Sequence, residues 1–193
     1  MSLAELVQQR FPQHVIGVRA YRGQETVLLT REGLLDVARF LRDDPATGFD
    51  FLMDLTCVDY LKFGRSLSSA PTLATPSPLP YFMTPKPQTE RWERGASNDE
   101  HRFDVVYHLY SSGRNRRLRV TIPLTAADAS VPSLTGLWKS ADWFEREAWD
   151  MFGVTFTGHP TLKRLLMYES FTGHPLRKDY PVRKRQPLIG PAN

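Results

Sequence analysis

Glu145, Glu147, Asp150, His159, His174 and the lone cysteine Cys57 are the residues whose types could do chemistry, and their spacing limits what that chemistry is. A carboxylate pair acting as general acid and base on one bond has to converge on that bond. Glu145 and Glu147 stand two residues apart in Ala141-Asp142-Trp143-Phe144-Glu145-Arg146-Glu147-Ala148-Trp149-Asp150-Met151-Phe152-Gly153. On a helix that spacing points them about 200° apart. Glu147 and Asp150 do share a face, but Arg146 beside them favours the ionised form of both. Asp142, Arg146 and Asp150 recur every four residues, which predicts an ion-pair network on a packing surface rather than proton transfer. One thiol makes no intramolecular disulfide, four-cysteine iron–sulfur cluster or CxxC redox pair. Cys57 is expected to be a small core residue, and the chain cytosolic.

The histidines sit in a repeated pentapeptide. Phe-Thr-Gly-His-Pro occurs at Phe156 to Pro160 and again at Phe171 to Pro175, each copy followed closely by a basic pair, Lys163-Arg164 and Arg177-Lys178. Glycine permits unusual backbone angles and proline extends its predecessor, so each copy predicts a turn presenting its histidine. As metal ligands His159 and His174 lack partners at HExxH or CxxC spacing. The expectation is a pair of structural histidines that bond the turn backbone or a partner surface.

These residues need elements to hold them. Ser2-Leu3-Ala4-Glu5 has capping-box spacing and opens a short helix that Pro12 stops. His14 to Ala20 and Thr26 to Thr30 flank Arg22-Gly23-Gln24 and predict a hairpin. Leu34, Leu35, Val37, Ala38 and Leu41 predict a second helix. From Phe49 to Val58 the odd positions Phe49, Phe51, Met53, Leu55 and Cys57 are apolar, which predicts a strand with that face buried. Phe103, Val105, Tyr107 and Leu109, then Leu118, Val120 and Ile122, predict a second hairpin whose outer face carries Arg117 and Arg119. Gly153 suits a left-handed cap on the helix that begins at Ala141. Prolines crowd Ser66 to Glu100, where neither helix nor ladder can run, so an insertion is expected at about 66–100. The class predicted is α+β, a mixed or antiparallel sheet packed with helices and followed by an extended C-terminal strap. The expected organisation is an α+β domain over 1–140, a signature helix and partner-docking segment over 141–181, and a basic tail over 182–193.

The second half resembles a known family. Glu145-Arg146-Glu147, Asp150-Met151-Phe152-Gly153-Val154, Gly158-His159-Pro160, Leu162-Lys163-Arg164-Leu165-Leu166 and Gly173-His174-Pro175-Leu176-Arg177-Lys178-Asp179-Tyr180-Pro181 are similar to the signature of the C subunit of the proton-pumping NADH:quinone oxidoreductase, respiratory complex I. Asp59-Tyr60, Val106-Tyr107-His108-Leu109 and Arg117-Leu118-Arg119-Val120 are similar to its strand segments. Since the chain ends at Asn193 without a fused D-type domain, the unfused bacterial form is expected.

The resemblance implies a non-catalytic subunit of the peripheral arm, on the cytoplasmic side of the inner membrane. It would carry no flavin, cluster, metal or quinone site of its own. Flavin and iron–sulfur clusters are expected in partner subunits, with NADH and quinone met through the complex alone. The resemblance further implies packing against the homologue of the D subunit and neighbouring iron–sulfur subunits, through signature residues that include Phe152, Gly153, Arg164, Gly173, Pro175, Arg177, Lys178, Asp179 and Tyr180. The equivalent subunit of a membrane-bound hydrogenase or of another complex I-like assembly is the alternative.

Charge and hydropathy fit that reading. No apolar run approaches the roughly 18 to 20 residues that span a bilayer, and Met1-Ser2-Leu3-Ala4-Glu5 does not begin a secretory signal. The formal net charge is +4, and Arg177, Lys178, Arg183, Lys184 and Arg185 against Asp179 account for all of it. A basic tail for an acidic surface or the membrane face is therefore expected, not a nucleic-acid-binding protein, since no reading motif is present. A nucleophile elbow and a catalytic triad are likewise missing, which excludes a typical hydrolase.

Overall fold

The computed structural model describes residues 2–61, 101–181 and 183. The proline-rich stretch expected at 66–100 and, apart from Arg183, the basic tail at 182–193 lie outside the described residues. Helix α1 (Leu3–Arg10) begins with the capping box, in which Ser2 Oγ accepts from the Glu5 N–H and the Glu5 carboxylate accepts from the Ser2 N–H. Strands β1 (Val15–Tyr21) and β2 (Gln24–Leu29) follow, then α2 (Leu34–Asp43), β3 (Phe51–Asp59), β4 (Phe103–Ser111), β5 (Arg116–Leu124), β6 (Ser130–Pro132), α3 (Ala141–Phe152) and β7 (Thr155–Thr157). Between β1 and β2 the two turn residues Arg22 and Gly23 both take positive φ, 49° and 77°. Such a turn has the twist that a tight hairpin needs.

Five strands form one sheet in the order β1-β2-β5-β4-β3, and β6 and β7 pair in a small parallel ribbon. Within the large sheet β2 and β5 run parallel and the other neighbours antiparallel, so the sheet is mixed and the class is α+β. The helices share one face. Leu34, Val37, Ala38 and Leu41 of α2 enclose, with Tyr107, Leu109 and Val120 of the sheet and with Leu134 and Trp138, the centre of the core. Glu25, cross-strand from Leu118 on that face, accepts the Ala4 N–H and so ties down α1. The start of α3 is stitched to β3 by Trp138 Nε1–H to the Phe49 carbonyl, 3.2 Å, and Ser140 O–H to the Leu52 carbonyl, 3.1 Å.

One strand departs from its expected parity. Leu55 and Cys57 are buried as the alternation predicts, but Phe51 is 51% exposed and Met53 37%, while Leu52 is fully buried. The ladder between β3 and β4 shifts register between Leu52 and Asp54, and that bulge exchanges the two faces of the strand for the residues before it. Burial pushes the Cys57 thiol well above its ordinary pKa, in keeping with a core role. Among the described residues no helix is long and apolar enough to cross a membrane.

Candidate partner-docking site

Helix α3 is the rod on which the site is built. Gly153 ends it in the left-handed conformation, φ 74°, and its N–H bonds the Trp149 carbonyl. A Cβ there would stand 2.5 Å from Arg177 Nη2 and 2.6 Å from His174 Nε2, so the position needs glycine both for its backbone angle and for the side chains lying on it.

The carboxylates of the helix part company. Glu145 faces inward and is fully buried, its Oε1 accepting the Leu134 N–H at 2.7 Å and its Oε2 the Ser133 hydroxyl at 2.6 Å. Burial raises its pKa to about 7; the two hydrogen bonds oppose that rise, and the nearby Asp142 charge adds to it. Glu147 is exposed on the other side, as the two-residue spacing requires. Asp150 is fully buried and gathers the chain that follows: its Oδ2 accepts the N–H groups of Leu165, Leu166 and Met167 at 3.0, 2.8 and 2.8 Å, and its Oδ1 lies 2.6 Å from Arg164 Nη1. Burial alone would raise this carboxyl, but the Met167 N–H, Arg164 and the other two amides together hold it below the usual carboxylate range.

The Asp142–Arg146–Asp150 network does not form. Arg146 instead donates to the carbonyls of Lys163 and Arg164 and lies 5.6 Å from the Trp143 ring centre. After β7 the chain runs back alongside the helix in the same direction, from Asp142 towards Asp150; its fixed carbonyls compete for the guanidinium, and Arg164 takes Asp150. Arg164 also donates to the carbonyls of Phe171 and Gly173, between the rings of Trp149 and Phe171.

The two pentapeptides clamp the two ends of α3. His159 Nδ1 accepts the Thr161 N–H, so Nε2 carries the proton, which it donates to the Asp142 carbonyl at 3.2 Å. Asp142 Oδ1 is as close, at 3.1 Å, but it lies off the N–H direction and is left buried without an aligned donor. His174 Nδ1 donates to the Asp150 carbonyl at 3.0 Å. Burial lowers the pKa of His174, and the charges of Arg177 and Arg164 lower it further. Gly158 and Gly173 take positive φ, 83° and 100°, one residue before each histidine. Pro160 is exposed beyond the first clamp.

The segment from Gly173 to Pro181, expected as an extended strap, is instead two successive turns, closed by Arg177 N–H to the His174 carbonyl and Tyr180 N–H to the Arg177 carbonyl. Pro175 presets the backbone angle at the second position of the first turn. The inner side of these turns lies on the chain's own sheet and helix end. Arg177 donates to the Phe152 and Gly153 carbonyls. The Lys178 N–H donates to Asp59, and Tyr180 stacks on Phe171 at 6.1 Å. Asp59 is buried and also takes Arg102, whose Nη2 reaches Asp179 at 2.7 Å. Burial would raise Asp59, but Arg102 and the Lys178 and Leu61 amides outweigh it and hold the carboxyl low.

Sequence reasoning gave Arg102 no role and Asp59 none beyond family likeness. The signal was parity, because Asp59 continues the buried face of Leu55 and Cys57, where a carboxylate needs a cation. On the outside remain Trp143, Leu166 and Leu176, 62%, 56% and 49% exposed. They stand beside the start, the Asp150 turn and the end of α3 respectively.

The family described as respiratory-chain NADH dehydrogenase, 30 Kd subunit, matches residues 27–186. The chain belongs to this family. Among curated relatives, the C subunit of the NADH-quinone oxidoreductase of Citrifermentans bemidjiense is 40% identical over 95% of this chain and 92% of its own. That of Roseiflexus sp. is 40% identical over 94% and 83%. A solved trypsin-resistant fragment (1–134) of Nqo5 superposes with a TM-score of 0.54 at 28% identity, covering 84% of this chain and all of the fragment. The membrane-bound sulfane sulfur reductase, an archaeal respiratory membrane complex, shares the fold, with a TM-score of 0.62 at 17% identity over 94% of this chain and 85% of that one. In this chain the signature charges converge on α3 and on the turns that close over its end.

Proposed function

We propose that the chain is a non-catalytic subunit of the peripheral arm of a proton-translocating NADH:quinone oxidoreductase, and that it works by docking. The observation that carries this reading is how the signature residues are used. Asp150, Arg164, His159, His174 and Arg177 hold the backbone of residues 161–180 in one shape. Glu145 is bonded inside the core and open to no substrate. Among the side chains this shape offers outward, beside charged ones such as Glu147, Lys163 and Lys178, are three large apolar ones, Trp143, Leu166 and Leu176, and exposed aromatic and aliphatic anchors are what a protein interface desolvates.

The partner at this face is the homologue of the D subunit, with the cluster-bearing subunits as further neighbours. Flavin and iron–sulfur groups belong to those partners, and the chain sits at the cytoplasmic face of the inner membrane. Relatives named as the C subunit of NADH-quinone oxidoreductase over nearly the whole chain support the assignment.

Removing the gene and measuring NADH-driven quinone reduction in membranes tests the reading. Activity lost without the chain and restored by it is expected, together with purified chain that lacks flavin and iron–sulfur absorbance. Normal activity in the deletion strain, or stoichiometric cofactor in the purified chain, overturns it.

A further inference from the structure

The face of the five-stranded sheet away from the helices carries chemistry that docking through α3 does not use. Register sets Phe51, Tyr110 and Arg117 side by side on β3, β4 and β5. The next outward row runs Asp54, His108, Arg119, Thr26 and Arg19 across all five strands. Arg117 is exposed, with its guanidinium carbon 5.8 Å from the Tyr110 ring centre. Arg119 donates through Nε to Thr26 Oγ1 at 2.9 Å. Among the described residues neither Arg117 nor Arg119 has a carboxylate at ion-pairing distance. The sequence supplies none locally: between Asp104 and Asp128 it has no Asp or Glu and carries Arg114, Arg116, Arg117 and Arg119. Phe51, turned outward by the bulge, adds an apolar anchor at the edge of the same patch.

A guanidinium is built to hold a carboxylate through paired hydrogen bonds, and an arginine lying against an aromatic ring is a frequent interface anchor. We infer that this sheet face is a second docking surface. It takes an acidic protein surface whose carboxylates meet Arg117 and Arg119 while an apolar side chain covers Phe51 and Tyr110, so the chain bridges two neighbours. Asp54 in the same row needs a cation opposite it, which a protein surface of mixed charge can place there and a polyphosphate cannot, and this weighs against nucleic acid as the occupant. A second copy of this chain is disfavoured too, because an isologous contact sets arginine against arginine.

The inference rests on membership of the assembly and not on which partner covers α3. In cells making the complex, the R117E/R119E chain is compared with wild type after gentle solubilisation. The readouts are its retention in the assembly against salt concentration and the sites reached by a photo-crosslinker at Phe51. Arg117 is exposed, so the circular dichroism melt of purified R117E should match wild type, and the double variant, which also loses the Arg119–Thr26 hydrogen bond, should melt only a few degrees lower. About tenfold weaker retention, with crosslinks to an Asp/Glu-bearing segment of one neighbour whose charge reversal restores binding, is expected. Retention and salt profile equal to wild type, crosslinks to nucleic acid, or crosslinks to another copy of the chain overturn the proposal. A wild-type chain absent from the assembly altogether overturns membership instead.

Discussion

Glu145 gives the sharpest test of how the core is built, because replacing it by glutamine should stabilise the protein at one pH and leave it unchanged at another. The carboxyl is fully buried, bonded to Ser133 and Leu134 and, among the described residues, to no cation, and burial raises its pKa to about 7 from an ordinary 4.5. Between those values the folded state keeps a proton that the unfolded state has released. Stability therefore falls as pH rises through this window, and the whole cost is present above about pH 7. A shift of that size corresponds to about 3 kcal/mol. In Glu145→Gln the amide oxygen can accept the Leu134 N–H and the amide nitrogen can donate to Ser133, so both hydrogen bonds survive without a charge. Urea denaturation of the purified chain from pH 4 to pH 9, followed by tryptophan fluorescence, should show the variant about 3 kcal/mol more stable at pH 8 and equal to wild type near pH 4.5. A variant less stable than wild type at pH 8 would mean that the ionised carboxylate is well solvated or paired, and that burial does not govern this group.

Asp150→Asn leaves Arg164 without its carboxylate and weakens the three amide bonds; a loss of about 3 kcal/mol is expected by denaturation, with faster hydrogen exchange at Leu165, Leu166 and Met167. Gly153→Ala should cost about 1 to 2 kcal/mol from its left-handed backbone alone, and by displacing His174 and Arg177 it should expose residues 173–181 to limited proteolysis. Arg102→Ala strands the buried Asp59 and should cost about 3 to 5 kcal/mol, the deficit shrinking as pH falls and Asp59 becomes protonated. Trp143→Ala should change stability by under about 0.5 kcal/mol in a thermal melt, yet reduce the amount of chain recovered with the assembled complex.

The legible parts of this fold were those with a local cause. The capping box at Ser2, the Arg22-Gly23 turn and the Gly153 cap each depend on residues within a few positions of one another, and each stands where the pattern puts it. The strand from Phe51 was legible in its second half alone, since a bulge is set by the neighbouring strand and leaves no mark in the alternation. The parallel pairing of β2 with β5 joins distant segments, and nothing local announces it. For the site, residue types and the histidine turns could be read, but not their partners. Arg146 and Asp150 have ideal helical spacing for each other, yet that ion pair gives way to chain returning along the helix, whose carbonyls and amides need partners more than an exposed ion pair does.

That outcome bears on how the chain can dock. If residues 161–180 were ordered only on contact with a partner, fixing their backbone would cost about 1 to 2 kcal/mol per residue and would be drawn from the binding energy. Here the cost is met during folding, by the Asp150 carboxylate, the two histidine clamps and the Arg102–Asp59 pair. Trp143, Leu166 and Leu176 are consequently held ready at fixed positions on and beside one helix, so their apolar burial against a partner carries little further ordering cost. The outer sheet face differs in kind. Among the described residues Arg117 and Arg119 are held in register by the β-ladder but not satisfied by carboxylates, so this face's contribution should be steep in salt, whereas docking along α3, with its large apolar anchors and exposed charges of both signs, should be less so. Dissociation by salt and dissociation by Trp143→Ala should therefore separate the two faces: a single salt-sensitive interface, abolished by either perturbation, would show that the chain has one docking surface and not two.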